Sequence, residues 1–128
     1  MNRFFGVIFI MLATIGATYS QVYESVYENS NSEVRAKLDQ NKIQGIDILT
    51  GVFAQHNIKL SAIDNNGKTE LTNLLNENNQ VKTFTIDKNL KSLTLITTAH
   101  ITKEYITDLL KPLSVNLNEY TVVYSIEE

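Results

Sequence analysis

Two kinds of hydrophobic period alternate along the second half of this chain, and their order limits the architectures it can adopt. Val52, Ala54, Ile58, Leu60 and Ala62 alternate with Lys59 and Ser61, the period of two that buries one face of a strand. Asp64-Asn65-Asn66-Gly67 follows as a turn, with Asn66 placed to cap the next helix. Leu71, Leu74 and Leu75 then mark a helix ending near Asn78-Asn79. Val81–Asp87 and Ser92–Ala99 read as two strands joined by the turn Lys88–Lys91. The first carries Phe84 and Ile86 on one face, and the second carries Leu93 and Leu95. Thr102 caps a second helix, Lys103–Leu113, striped by Ile106, Leu109, Leu110 and Leu113 and ended by Pro112. Tyr120, Val122, Tyr124 and Ile126 alternate in a last strand.

Strand, helix, strand, strand, helix, strand is the split βαβ order. It predicts an α+β fold of the ferredoxin-like βαββαβ type over residues 52–128. Two helices would pack on one face of a four-stranded antiparallel sheet, with the first and third strands central. Residues 21–51 form an N-terminal helical extension of open placement. Its first part, 21–32, is polar with Val22, Val26 and Tyr27 as a small stripe, a frayed turn or an extended leader. Ser32 offers an N-cap for a short helix over 33–41 with Val34 and Leu38 one turn apart. The stretch 42–51, punctuated by Gly45 and Gly51, reads as an irregular connector.

Residues 1–20 carry one cation, Arg3, then an apolar run from Phe4 to Ala17 and small residues at Thr18 and Ser20. That is the three-part pattern of a cleaved signal peptide, and the run falls short of the roughly 20 apolar residues a bilayer core requires. Cleavage after Ser20 would give an exported protein, periplasmic or extracellular, with no membrane attachment. There is no cysteine, so neither disulfides nor thiolate chemistry contribute and stability rests on packing. None of the fourteen Asn lies in an N-x-Ser/Thr context, which leans towards a bacterial source. Without Arg3 the chain has ten basic and fourteen acidic residues. Such a balance argues against nucleic acid and against an anionic membrane surface.

The spacing of Leu71, Leu74, Val81, Phe84, Ile86, Leu93 and Leu95, with the segment TKEYITDLLKPL, resembles the heavy-metal-associated domains of copper chaperones and metal-pumping ATPases. The resemblance covers about residues 56–127 and implies the ferredoxin-like fold. The Cys-x-x-Cys of that family would fall at about Asp64 and Gly67, and neither is a thiol. Soft ligation of Cu(I) is thereby removed.

Other metal ligands are few. His56 and His100 stand on strands expected to be neighbours. If inward Leu60 pairs with inward Leu95, His56 lies opposite Ala99 and points inward while His100 points to the other face, so a shared metal would need a bulge or slip. Asp64 opens a calcium-like loop, but the fifth position is Lys68. The acylphosphatases of this fold bind phosphate with an arginine in the first loop, whereas Arg35 lies in the extension. The open face of the central strands is expected to show no aromatic side chain, as an RNA-recognition sheet would need. No nucleophile, base and orienting group recur at a catalytic spacing, and Glu127-Glu128 reads as a solubilising tail.

The function expected from the sequence is that of an exported, non-catalytic binding or accessory domain with no cofactor. Its docking face is expected at Lys59, Ser61, Ile63, Thr94, Ile96, Thr98 and Val123, for a protein or small-molecule partner. A homodimer through the sheet face or an edge strand is a further expectation. A metal-handling protein with non-thiol ligands is the alternative, and a small hydrolase comes third.

Overall fold

The protein is described from a computed structural model, over residues 19–61, 63–113 and 115–126. The predicted signal peptide lies outside the described residues except for Tyr19 and Ser20, as do Ala62 and the Glu127-Glu128 tail.

Among the described residues, four strands and four α-helices follow in the order α1 (Tyr19–Glu28), α2 (Ser32–Gln44), β1 (Val52–Leu60), α3 (Asn65–Glu77), β2 (Val81–Ile86), β3 (Ser92–Thr98), α4 (Lys103–Leu110) and β4 (Leu117–Ile126). The strands form one antiparallel sheet in the order β2-β3-β1-β4, with β1 and β3 central. No helix among the described residues is long and apolar enough to cross a membrane.

Several element ends differ from the sequence expectation, each for a local reason. Asn31, not Ser32, caps α2, its Oδ1 accepting from the Val34 N–H at 2.9 Å. The connector expected at 42–51 is partly helical, because α2 runs on until Gly45. There a φ of 73° lets Gly45 N–H reach Lys42 O and Ile46 N–H reach Asn41 O, the paired closing bonds of a Schellman turn. Asp64, not Asn66, caps α3 by accepting from Gly67 N–H at 2.7 Å. Thr102 caps α4 as expected. That helix stops at Leu110, and a 3-10 turn over Lys111–Leu113 absorbs Pro112.

One core lies under α3 and α4, where Ile58, Leu60, Leu71, Leu75, Leu93, Leu95, Ile106 and Leu110 are all buried. A second joins the N-terminal extension to the other end of the same sheet face. It comprises Val26 of α1, Val34 and Leu38 of α2, Leu49, Val52 and Ala99, with Tyr124 and Ile126 packed against it. Val52, Ala54, His56, Ile58 and Leu60 alternate as one buried row along β1. The extension, whose placement the sequence left open, therefore covers the sheet face that α3 and α4 cover. Asn41 ties it down, donating from Nδ2 to Ile48 O and Thr50 O, each at 2.8 Å. Arg35 closes α1, with Nε 2.8 Å from Tyr27 O and Nη2 3.1 Å from Glu28 O.

The β1–β3 register is shifted by four residues from the expected pairing. Leu95 lies opposite His56, and Leu60 N–H bonds to Lys91 O. β1 ends flush with the turn that opens β3, so the two strands align at that end. An even shift keeps every side chain on its expected face.

Candidate functional site

With the helices gathered on one face, the other face of the sheet is uncovered by any described element. The register arranges it in cross-strand rows. Thr83, Ile96, Gln55 and Val123 form one row, and Thr98, Phe53 and Ser125 the next. Thr85, Thr94, Asn57 and Thr121 form a third, and Ser92, Lys59 and Glu119 close the sheet end. Ile96, Phe53 and Val123 consequently surround Gln55 as three apolar side chains from three adjacent strands. Val123 is 56% exposed. Lys82 lays its ammonium 4.7 Å from the Phe53 ring centroid, within the range of a cation–π contact. At the opposite end, Lys59 and Glu119 form an exposed pair at 3.6 Å.

Of the residues expected on this face, Lys59, Thr94, Ile96, Thr98 and Val123 lie on it. Ile63 does not. Past Leu60 the chain turns towards α3, strand parity ends, and Ile63 packs against the core under α3 and α4. Ser61 lies one residue beyond β1, where its N–H bonds to Asn116 O and its Oγ accepts from Asn116 N–H. Its Oγ serves as an acceptor at this corner. The expectation of a face without aromatics is also corrected, because Phe53 sits on central strand β1. The alternation of Val52 and Ala54 already implied its direction.

The metal candidates are separated. His56 is fully buried on the helical side and His100 is exposed. The His100 Nε2 is 2.9 Å from Asp47 Oδ2, and its Nδ1 is 3.2 Å from Thr98 Oγ1. Asp64 is engaged as the α3 cap. Among the described residues no group of three or more His, Cys, Asp and Glu side chains converges.

His56 instead organises a buried hydrogen-bond chain that sequence reading missed. Thr97 Oγ1 donates to Thr98 O at 2.7 Å, so its remaining capacity is to accept. It accepts from His56 Nε2 at 2.8 Å, which leaves Nδ1 to accept from the Tyr120 hydroxyl at 2.6 Å. This assigns the proton to Nε2 of a neutral ring. Desolvation agrees, lowering the His56 pKa to about 4. Burial first, and then the Tyr124 and Glu104 charges, push the Tyr120 phenol well above its usual value. Burial also raises Tyr124. Both His56 nitrogens are occupied within the protein, so neither has a free lone pair for a metal. Tyr120 also lines a cleft of about 220 Å³ between α1, the start of α4 and β4, where Lys103, Glu104 and Tyr124 meet. Sequence proximity carries no signal for this set of hydrogen bonds, whose members come from β1, β3 and β4.

No protein-family model, curated protein or solved structure matches this chain.

Proposed function

We propose that this protein is a small non-catalytic binding module of ferredoxin-like arrangement, exported from the cell, that docks a protein partner through its open sheet face. The observation that carries the reading is the cluster of Phe53, Ile96 and Val123 on the one sheet face that no described element shields. Three apolar side chains grouped around Gln55 and flanked by Thr, Ser and Asn make the mixed surface of a protein-docking patch. The ferredoxin-like part draws support from central β1 and β3 and from the α3 and α4 crossovers on one face. A protein partner suits the face better than nucleic acid, because it carries one aromatic and because Glu119 pairs with its Lys59. Metal handling through imidazole draws less support, since both His56 nitrogens are engaged.

The test uses a photo-crosslinking amino acid at position 123, compared with one at Asn76 on the exposed side of α3, in the native host. A discrete adduct at position 123, absent at position 76 and lost when Ile96→Asp is added, is the expected result. Adducts confined to position 76 would move the docking surface to the helices.

A further inference from the structure

The two edges of the sheet differ in how they are protected. β2 has six residues, and its register breaks between Val81 and Thr83 beside Lys82. A short, bulged strand with lysine is the common defence of an edge. β4 has ten residues, LNEYTVVYSI, without lysine or proline, and its pairing with β1 runs unbroken from Glu119 to Ile126. Nothing described pairs with its outer side.

The hydrogen bonds show which groups are left over. Leu60 N–H bonds to Lys91 O, and Val52 O accepts from Ala99 N–H. Even-numbered β1 residues therefore bond to β3, and odd-numbered ones face β4, where they meet Glu119, Thr121, Val123 and Ser125. Tyr120, Val122, Tyr124 and Ile126 are left with N–H and C=O aimed at the free edge. The side chains of these four residues are only half-buried, whereas the matching rows on β1 and β3 are buried.

We propose that β4 pairs antiparallel with β4 of a second copy about a two-fold axis at Val122, joining two sheets into one of eight strands. Antiparallel partners share a face, so the axis must pass through a residue position. At Val122 it sets Val122 against its own copy, Tyr120 against Tyr124 and Glu119 against Ser125, with about six new main-chain hydrogen bonds. An axis at Val123 would instead set Thr121 against Ser125 and leave Glu119 beyond the paired residues of the described strand. The half-exposed Tyr120, Val122 and Tyr124 side chains would complete their burial across the seam. Pairing along one strand makes a small interface, which suits a reversible dimer. The proposal rests on the β4 edge and stands apart from docking on the open face.

Sedimentation of the exported protein, without substitutions, is expected to give a mass that rises with concentration towards twice that of one copy. A chain that stays monomeric up to millimolar concentration overturns the dimer. The absence of cysteine allows a clean register test with Val122→Cys and Val123→Cys. Bonded antiparallel partners have Cα atoms about 5.5 Å apart, within disulfide range. With oxidised glutathione as the oxidant, Val122→Cys is expected to form the disulfide dimer at least tenfold faster than Val123→Cys. The reverse order would place the contact at Val123, through another register or the open face, and would sink the assignment. Neither measurement involves a docking partner, so failure here leaves the open-face reading intact, and the converse holds.

Discussion

The Tyr120 hydroxyl reaches Nδ1 of His56 at 2.6 Å on the diagonal, two register positions from direct cross-strand opposition, since His56 faces Val122 and Tyr120 faces Ile58. The contact joins an edge strand to the buried row of the sheet through a polar bond, at a place where two apolar side chains could have packed. Its energetic weight lies in what happens when either partner is changed.

Removing the phenol tests this directly. Tyr120→Phe would leave Nδ1 of a fully buried ring without a donor, and such an orphan costs about 1–3 kcal/mol. Thr97→Val should cost a similar amount by stranding the Nε2–H. Because the two changes disturb one chain, the double variant should depart from additivity by about 0.5–3 kcal/mol. Urea unfolding of the four proteins measures the coupling, and simple additivity would show that the three residues act independently.

Acid should weaken the fold through His56. Its pKa is about 4 in the folded state and about 6.5 in an unfolded chain, so the unfolded state binds more protons between those values. Stability is then highest above pH 6.5 and falls as the pH drops from 6.5 towards 4, by on the order of 3 kcal/mol from this group. His56→Gln should be less stable at pH 7 yet lose less over the same window. Parallel stability curves for the two proteins would contradict the burial of a neutral imidazole.

Leu95 and Thr94 test the faces of β3. Leu95 is 0% exposed, and truncating it to Ala should cost about 2–5 kcal/mol. Thr94 lies on the open face, and Thr94→Ala should cost well under about 1 kcal/mol. Equal losses in urea midpoints would mean that the strand is covered on both sides.

Arg35 should act on α1 alone. Its guanidinium bonds two terminal carbonyls of that helix and lies 5.1 Å from the Tyr27 ring centroid. A lysine offers a single point charge in place of this planar fork. Arg35→Lys should therefore speed amide exchange over 22–28 several-fold while leaving β1 and β3 protected. Uniform acceleration would instead mean that α1 and the sheet open as one unit.

Strand and helix order over 52–126 was legible because its periods are strong and its turns rich in Asn, Asp and Gly. The inward direction of His56 was legible for the same reason, since parity survives a four-residue shift in register. Its partners were not, because local patterns carry no information about which residue of β4 arrives beside it. Ile63 was misplaced because parity was carried past the end of β1. α1 was obscured by its polar surface, on which only Val22, Val26 and Tyr27 hint at a buried stripe. α2 looked shorter than it is because Gly45 reads equally well as a break or as the left-handed closing residue of a longer helix.

The second core has a consequence for how the molecule assembles. Val26 and Ile126 belong to one cluster although about a hundred residues separate them, so α1 and α2, made before β4, must wait for it. Contacts of such long separation slow folding. β4 is also central β1's partner along nine register positions, so its late arrival completes the sheet and secures the leading segment in a single event. Until then the apolar stripes of α1 and α2 rest on each other and on Ile48, Leu49, Val52 and Ala99. Loss of Tyr124 and Ile126 should therefore loosen α1 and α2 as much as the edge of the sheet.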